Sequence, residues 1–354
     1  MPPSPKHTNN PWGKVYSEII DVRSPNEFSL DCIPGAINLP VLDDAERAEV
    51  GTIYKQVSAF KARKVGAALV AKNISQHLTQ HFITKDKDYS PLVYCWRGGQ
   101  RSASMASVLS QIGWKVTILE GGYKTYRTYV REKLEELPQK FTYHVISGLT
   151  GSAKTNILRQ LSQRGAQVLD LEDLANHRGS LLGEVWVNKS LPQPSQKYFE
   201  SLLLQELQNF NPAHIVWVES ESNKIGKVYL PSSLWQQMKQ SNCIEIQVPI
   251  QARVQFIIQE YSHFTNHPDI LKTKIAGLKS RYGSKKINEW NQLIESGNFP
   301  TFVDNILQSH YDPAYLKSTQ TNYIQGEQSL AMPDLSAKSV ENLVDTLMQI
   351  NSNM

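Results

Sequence analysis

Short apolar runs alternate with segments of helical spacing along most of this chain. Glu18 to Arg23, Pro91 to Cys95 and Trp114 to Leu119 read as strands, the second of the fully buried kind. Lys61 to Phe82 reads as helix, and so does Ser102 to Ile112. In the latter Met105, Val108, Leu109 and Ile112 share a face, and Gly113 suits the C-terminal cap. A further helix runs from about Tyr123 to Leu137, and Pro138 closes this half. The pattern then restarts. Thr142 to Ser147, Val168 to Asp170, Ala213 to Glu219 and Cys243 to Val248 are strand-like. Helical stretches end at Arg164, span Ser195 to Phe210, fill most of Gln251 to Gln308 and close the chain over Ser336 to Ile350. Such alternation predicts two α/β units with largely parallel sheets, residues 1–137 and 138–354, the second with helical additions.

Composition narrows this picture. A length of 354 residues favours two domains, and 40% hydrophobic residues lets each build a core. No apolar run reaches the length of a membrane span, so no membrane partner is expected. The opening Met1-Pro2-Pro3-Ser4-Pro5-Lys6-His7 lacks the apolar stretch of a signal peptide. Three scattered cysteines, Cys32, Cys95 and Cys243, do not make a disulfide framework or a zinc cluster, which points to a reducing cytoplasm. The net charge of +4 says little, but its distribution says more. From Val50 to Lys85 there are six basic residues and no acidic one, and the same holds from Lys272 to Asn288. Either stretch could track a phosphate backbone or be a solvated helical face.

Two loops carry the candidate chemistry. In Tyr94-Cys95-Trp96-Arg97-Gly98-Gly99-Gln100-Arg101-Ser102 a cysteine ends a strand and Ser102 opens a helix, with six residues between them. Adjacent glycines permit a tight curve with N–H groups turned inward. These dipoles, with Arg97 and Arg101, favour a thiolate able to carry an extra sulfur or selenium atom, and they would hold an oxyanion. The second loop, Gly148-Leu149-Thr150-Gly151-Ser152-Ala153-Lys154-Thr155, is close to a Walker A phosphate cradle. Lys154 would neutralise charge, and Thr155 could reach a metal ion or a further phosphate oxygen. Ala153 replaces the usual second glycine. It is costly if that position needs positive φ and harmless if it already lies in the first helical turn, which is the expectation here. Glu219 and Glu221 at a strand tip could meet Mg²⁺ or could be a solvated end, so no metal ligand is assigned. His177 and Arg178, at the carboxyl edge of the second sheet, are candidates for an acid or a phosphate clamp.

Asp21-Val22-Arg23-Ser24-Pro25-Asn26-Glu27-Phe28, Ile33-Pro34-Gly35-Ala36-Ile37-Asn38, the Cys95 loop and Leu119-Glu120-Gly121-Gly122-Tyr123 resemble the rhodanese family over roughly residues 14 to 137. The resemblance implies that Cys95 carries the chalcogen. Cys32 stands where rhodaneses often have histidine, either as a passive replacement or as a second redox thiol. A rhodanese unit followed by a degenerate P-loop unit resembles the bacterial tRNA 2-selenouridine synthases. Residues 42–56, Asp173 to Ser180 and Val218-Glu219-Ser220-Glu221-Ser222 carry that resemblance. It implies a cytoplasmic transferase acting on the anticodon arm of a tRNA with 2-thiouridine at the wobble position. Geranyl diphosphate and selenophosphate would be co-substrates, with no tightly bound cofactor and Mg²⁺ left open, and a selenophosphate-supplying enzyme would be a partner. Gly148, Thr150, Gly151, Ser152, Ala153, Lys154 and Thr155 would hold the diphosphate with His177, Arg178 and Glu219. Cys95, as perselenide carrier or as a nucleophile toward selenophosphate, would serve the selenium step with Arg97 and Arg101. A persulfide-forming sulfurtransferase fused to an ATP-binding domain and a non-catalytic tRNA-binding module are the alternatives.

Overall fold

The structure, a computed structural model, describes residues 3–177, 192–260, 265–323 and 328–352. The chain divides into two compact α/β units, one of Met1–Lys133 with Ser195–Gln205, the other of Leu134–Pro194 with Glu206–Met354. The helix Gln196–Asn209 thus gives its first ten residues to the first unit.

The first unit is built on five parallel strands, β1 (Lys6–Thr8), β2 (Ile19–Asp21), β3 (Ile37–Asn38), β4 (Leu92–Tyr94) and β5 (Thr117–Leu119), ordered β1-β5-β4-β2-β3. The inner strands β2, β4 and β5 are almost entirely buried and mostly apolar, Asp21 and Thr117 excepted. Ile20, Val93, Met105, Leu109 and Ile118 form the core. Strand order reverses at β4, so the loop after Tyr94 opens where ligands bind in such sheets. The Asp21-Val22-Arg23 string has a structural meaning. Arg23 and Asp21 are both buried and share a forked ion pair, with Nε–Oδ1 3.0 Å and Nη2–Oδ2 2.6 Å. Helices Asp44–Gln56 and Ala59–Gln80 form an antiparallel pair. They approach closely at buried Gly66, where a Cβ would stand 3.4 Å from Val50 Cγ1.

The second unit repeats the plan with β6 (Tyr143–Ser147), β7 (Gln167–Leu169), β8 (Val216–Glu219), the small antiparallel ribbon β9 (Lys224–Ile225) and β10 (Val228–Tyr229), β11 (Asn242–Gln247) and β12 (Gln328–Ala331). The main sheet is parallel, ordered β12-β11-β6-β8-β7, with Ile146, Ile157, Trp217, Ile244 and Leu347 in its core. A helical layer follows β11: Ile250–Glu260, Pro268–Ala276, Lys279–Glu295 (kinked at Gly283) and Phe299–Ile306. It has its own core, centred on Leu271, Ile275, Trp290 and Phe302. Among the described residues no helix is long and apolar enough to cross a membrane.

Candidate functional site

Cys95 leaves β4 and turns sharply before helix Gln100–Ile112. Its sulfur receives the Gly99 N–H at 3.3 Å, and the Ser102 hydroxyl lies 3.3 Å away. These two donors and the helix N-terminus converge on Sγ. The tight curve depends on Gly98, at φ +61°, where a Cβ would lie 2.8 Å from Gly121 N and from Leu119 O. Gly122 is equally constrained, since a Cβ there would lie 2.2 Å from the Cys95 carbonyl oxygen. Gly99 meets no such obstacle.

The two arginines part company. Arg101 Nη1 donates to Glu27 Oε2 at 2.8 Å, and Arg47 Nε meets the same oxygen at 3.0 Å. Burial by itself would raise the Glu27 carboxyl, but Arg101 and Arg47 hold it below the usual carboxylate range. Arg101 thus shares its charge with a carboxylate. Arg97 is exposed and makes no ion pair among the described residues. Trp96 stacks on Tyr123 at 5.2 Å, and Arg23 lies 4.0 Å from the other ring's centroid. The indole keeps 38% of its surface exposed and lines a cavity of about 370 Å³ with Arg47 and Lys197. Cys32 is buried as well, and burial, with the charges of Asp31 and Asp21, pushes its thiol up to about 12.

In the second unit the loop after β6 leads into helix Lys154–Gln163. Gly148 and Gly151 both have positive φ. A Cβ on Gly151 would fall 2.7 Å from Ile257 Cδ1, which places the helical layer directly against the phosphate loop. The structure corrects one expectation: Ala153 is not in the first helical turn but precedes it at φ 56°, ψ 26°, in the left-handed region. The loop needs a peptide turned this way to aim its N–H groups, and alanine bears the strain. Ala153→Gly is expected to stabilise the protein by about 1 kcal/mol, the left-handed penalty less glycine's added chain entropy. Calorimetry should show a melting temperature about 2–4 °C higher; no change or a fall would remove strain as the explanation.

Lys154 Nζ is buried, donates to the Gly148 carbonyl at 2.8 Å and lies 3.4 Å from Glu219 Oε1. Burial alone would lower its ammonium; Glu219 foremost, helped by Tyr315, Glu221 and Glu172, raises it instead. The Thr155 hydroxyl stands between Glu172 Oε2 at 3.3 Å and Glu219 Oε2 at 3.2 Å. Oxygens of Glu172, Glu219 and Glu221 lie within 4.8 Å of one another. Burial and then the Glu219 charge raise the carboxyls of both Glu172 and Glu221. Three crowded carboxylates and a hydroxyl suit a hard divalent cation.

Thr150, Gly151, Ser152, Ala153, Lys154, Thr155, His177 and Glu219 all line one cavity of about 720 Å³. Gly148 reaches it through its N–H, which donates to the Tyr315 phenol oxygen at 2.8 Å. His177 packs over Gly226, where a Cβ would lie 2.8 Å from His177 Cδ2. Arg178, with Gly179 and Ser180, lies outside the described residues.

Residues 6–128 match the family described as "Rhodanese-like domain", and residues 141–339 match "tRNA 2-selenouridine synthase AAA domain". The chain belongs to the tRNA 2-selenouridine synthase family. Proteins of that name from Nitrosomonas eutropha and Bdellovibrio bacteriovorus are 30% and 32% identical to it, over 90% and 86% of this chain and 94% and 90% of theirs. One from Nitrosomonas europaea is 38% identical over 69% of this chain, which spans 63% of that protein's length.

Sequence reasoning overlooks two groups in the second cavity. Tyr315 gives no sequence signal, since it is one tyrosine in a helical stretch. Its hydroxyl also lies 2.6 Å from Ser220 Oγ, and its ring lies 5.3 Å from Lys154 Nζ. The other group is an apolar wall, Phe256, Ile257, Phe299, Phe302, Val303 and Ile306, lining the same cavity as the phosphate loop. Part of it is legible, because Phe299, Phe302, Val303 and Ile306 follow helical spacing.

Proposed function

We propose that this protein modifies tRNA in two steps, converting wobble 2-thiouridine to 2-selenouridine through an S-geranyl intermediate. The thione sulfur attacks C1 of geranyl diphosphate. The C–O bond breaks and diphosphate leaves. The P–Se bond of selenophosphate breaks, its phosphoryl group passing to the Cys95 sulfur and then to water; the selenide released attacks C2, and the geranyl thiolate departs. Sulfur on C2 leaves poorly until alkylated, which gives the first step its purpose.

One observation carries this reading: an anion cradle and a hydrocarbon wall line a single cavity. A nucleotide needs polar partners for its base and ribose, whereas an alkyl diphosphate needs a charged end and an apolar one. Lys154 and the loop N–H groups would stabilise the charge growing on the departing diphosphate. Glu172, Glu219 and Glu221 with Thr155 would hold Mg²⁺, whose chemistry there would be charge neutralisation. The Cys95 thiolate would attack the phosphorus of selenophosphate while Arg97 holds its oxygens: the S–P bond forms, the P–Se bond breaks to release selenide, and water later cleaves the S–P bond to give phosphate. This work belongs in the cytoplasm, beside an enzyme that makes selenophosphate.

The test is nucleoside mass spectrometry after incubating the protein with 2-thiouridine tRNA and geranyl diphosphate, with and without selenophosphate. The expected products are S-geranyl-2-thiouridine without selenophosphate and 2-selenouridine with it. Absence of both products refutes the reading. ATP-dependent persulfide transfer in their place would favour a sulfurtransferase.

A further inference from the structure

We infer that the elbow joining helices Asp44–Gln56 and Ala59–Gln80 is a docking surface for unpaired, unstacked nucleotides of an RNA. Tyr54, Val57 and Phe60 are 61%, 61% and 68% exposed there. Large apolar side chains grouped on a surface call for a covering partner. Around them Lys55, Lys61, Arg63 and Lys64 are exposed too. From Val50 to Lys85 the chain offers no carboxylate to balance them. Lys64 Nζ lies 6.0 Å from the Phe60 ring centroid, so cation and π face are presented together. Aromatic faces set among cations are what single-stranded nucleic acid binds: bases stack on the rings, and phosphates take the charges.

The elbow is also rigid. The Val57 and Ser58 N–H groups both close on the Ile53 carbonyl at 3.0 Å, and the Ser58 hydroxyl accepts the Phe60 and Lys61 N–H groups at 3.2 and 3.4 Å. Exposure of Phe60 is therefore fixed by two capped helix ends and is not an accident of a loose loop. The other end of helix Asp44–Gln56 contributes Asp44 and Arg47 to the cavity beneath Trp96. Thirteen residues of helix span about 20 Å. A strand with one base on Trp96 would reach the elbow a few nucleotides away.

This inference rests on RNA being the substrate, and the experiment separates the two. Binding of an in vitro transcribed tRNA to the full chain is measured at several salt concentrations. Tyr54→Ala and Phe60→Ala should each weaken it by about five- to a hundredfold, with the salt dependence unchanged. Lys61→Gln/Arg63→Gln/Lys64→Gln should make the slope of log K against log salt shallower by about 2. All five positions are exposed, so melting temperatures should match the parent. Affinities within twofold of the parent in every variant overturn the surface, even if tRNA is still converted. So does binding to phosphatidylglycerol vesicles that needs Tyr54 and Phe60 while tRNA binding does not. A chain that binds tRNA through the elbow yet leaves 2-thiouridine unchanged refutes the chemistry and upholds the surface.

Discussion

Cys95→Ala should abolish 2-selenouridine formation, by about three orders of magnitude or more, while S-geranyl-2-thiouridine accumulates. The size of the effect follows from the loop. Gly99 N–H, the Ser102 hydroxyl and a helix N-terminus all converge on one sulfur, and none of them can activate a methyl group. The fold should be indifferent, because alanine fits a buried position held by backbone bonds such as Tyr123 N–H to the Cys95 carbonyl at 2.8 Å. Nucleoside analysis of the variant, beside its circular dichroism, is the check. Loss of geranylation as well, in a folded protein, would break the assignment of one loop to each step.

Lys154→Ala should slow geranylation by about 10²- to 10³-fold, the usual loss when one preorganised charge is removed from a developing anion. A second effect follows from the neighbours. Glu172 and Glu221 already have raised carboxyls, so the folded chain binds protons that the unfolded chain releases. For such groups stability falls as pH rises from the unfolded carboxylate range toward their raised values. Removing the Lys154 ammonium takes away the charge that holds these carboxyls down, which raises them further. The variant's melting temperature should therefore drop more steeply than the parent's between pH 6 and pH 9 in the presence of a chelator. Thermal melts at both pH values test this; parallel slopes would show that Lys154 does not neutralise the cluster.

The parts of the fold legible in the sequence are those where burial leaves one choice of residue. Parallel strands covered on both faces are mostly apolar, so β2, β4, β5, β6 and β8 stand out. The edge strands β1 and β12 do not: Lys6-His7-Thr8 and Gln328-Ser329-Leu330-Ala331 read as ordinary loop. Cys95 and Lys154 are legible because loop chemistry is local in sequence. Partnership is not. Arg101 finds Glu27 at a separation of 74 residues, and Gly148 finds Tyr315 at 167, distances over which no spacing rule operates. The conformation of Ala153 is equally hidden, since closure of the loop dictates it and not the residue's own preference. The apolar wall lies between these cases. Its helical stripe is visible, but only the fold turns it toward the phosphate loop.

The Tyr315 phenol has a consequence for turnover. It already satisfies the Gly148 N–H and stands over Lys154, so this loop carries its own surrogate for an oxyanion. Any incoming phosphoryl oxygen that takes the Gly148 N–H must evict a hydroxyl, and that exchange moderates affinity for every phosphate ester alike. In the proposed reaction the same hydroxyl would return to the Gly148 N–H as diphosphate leaves, so the cradle would reset without outside help.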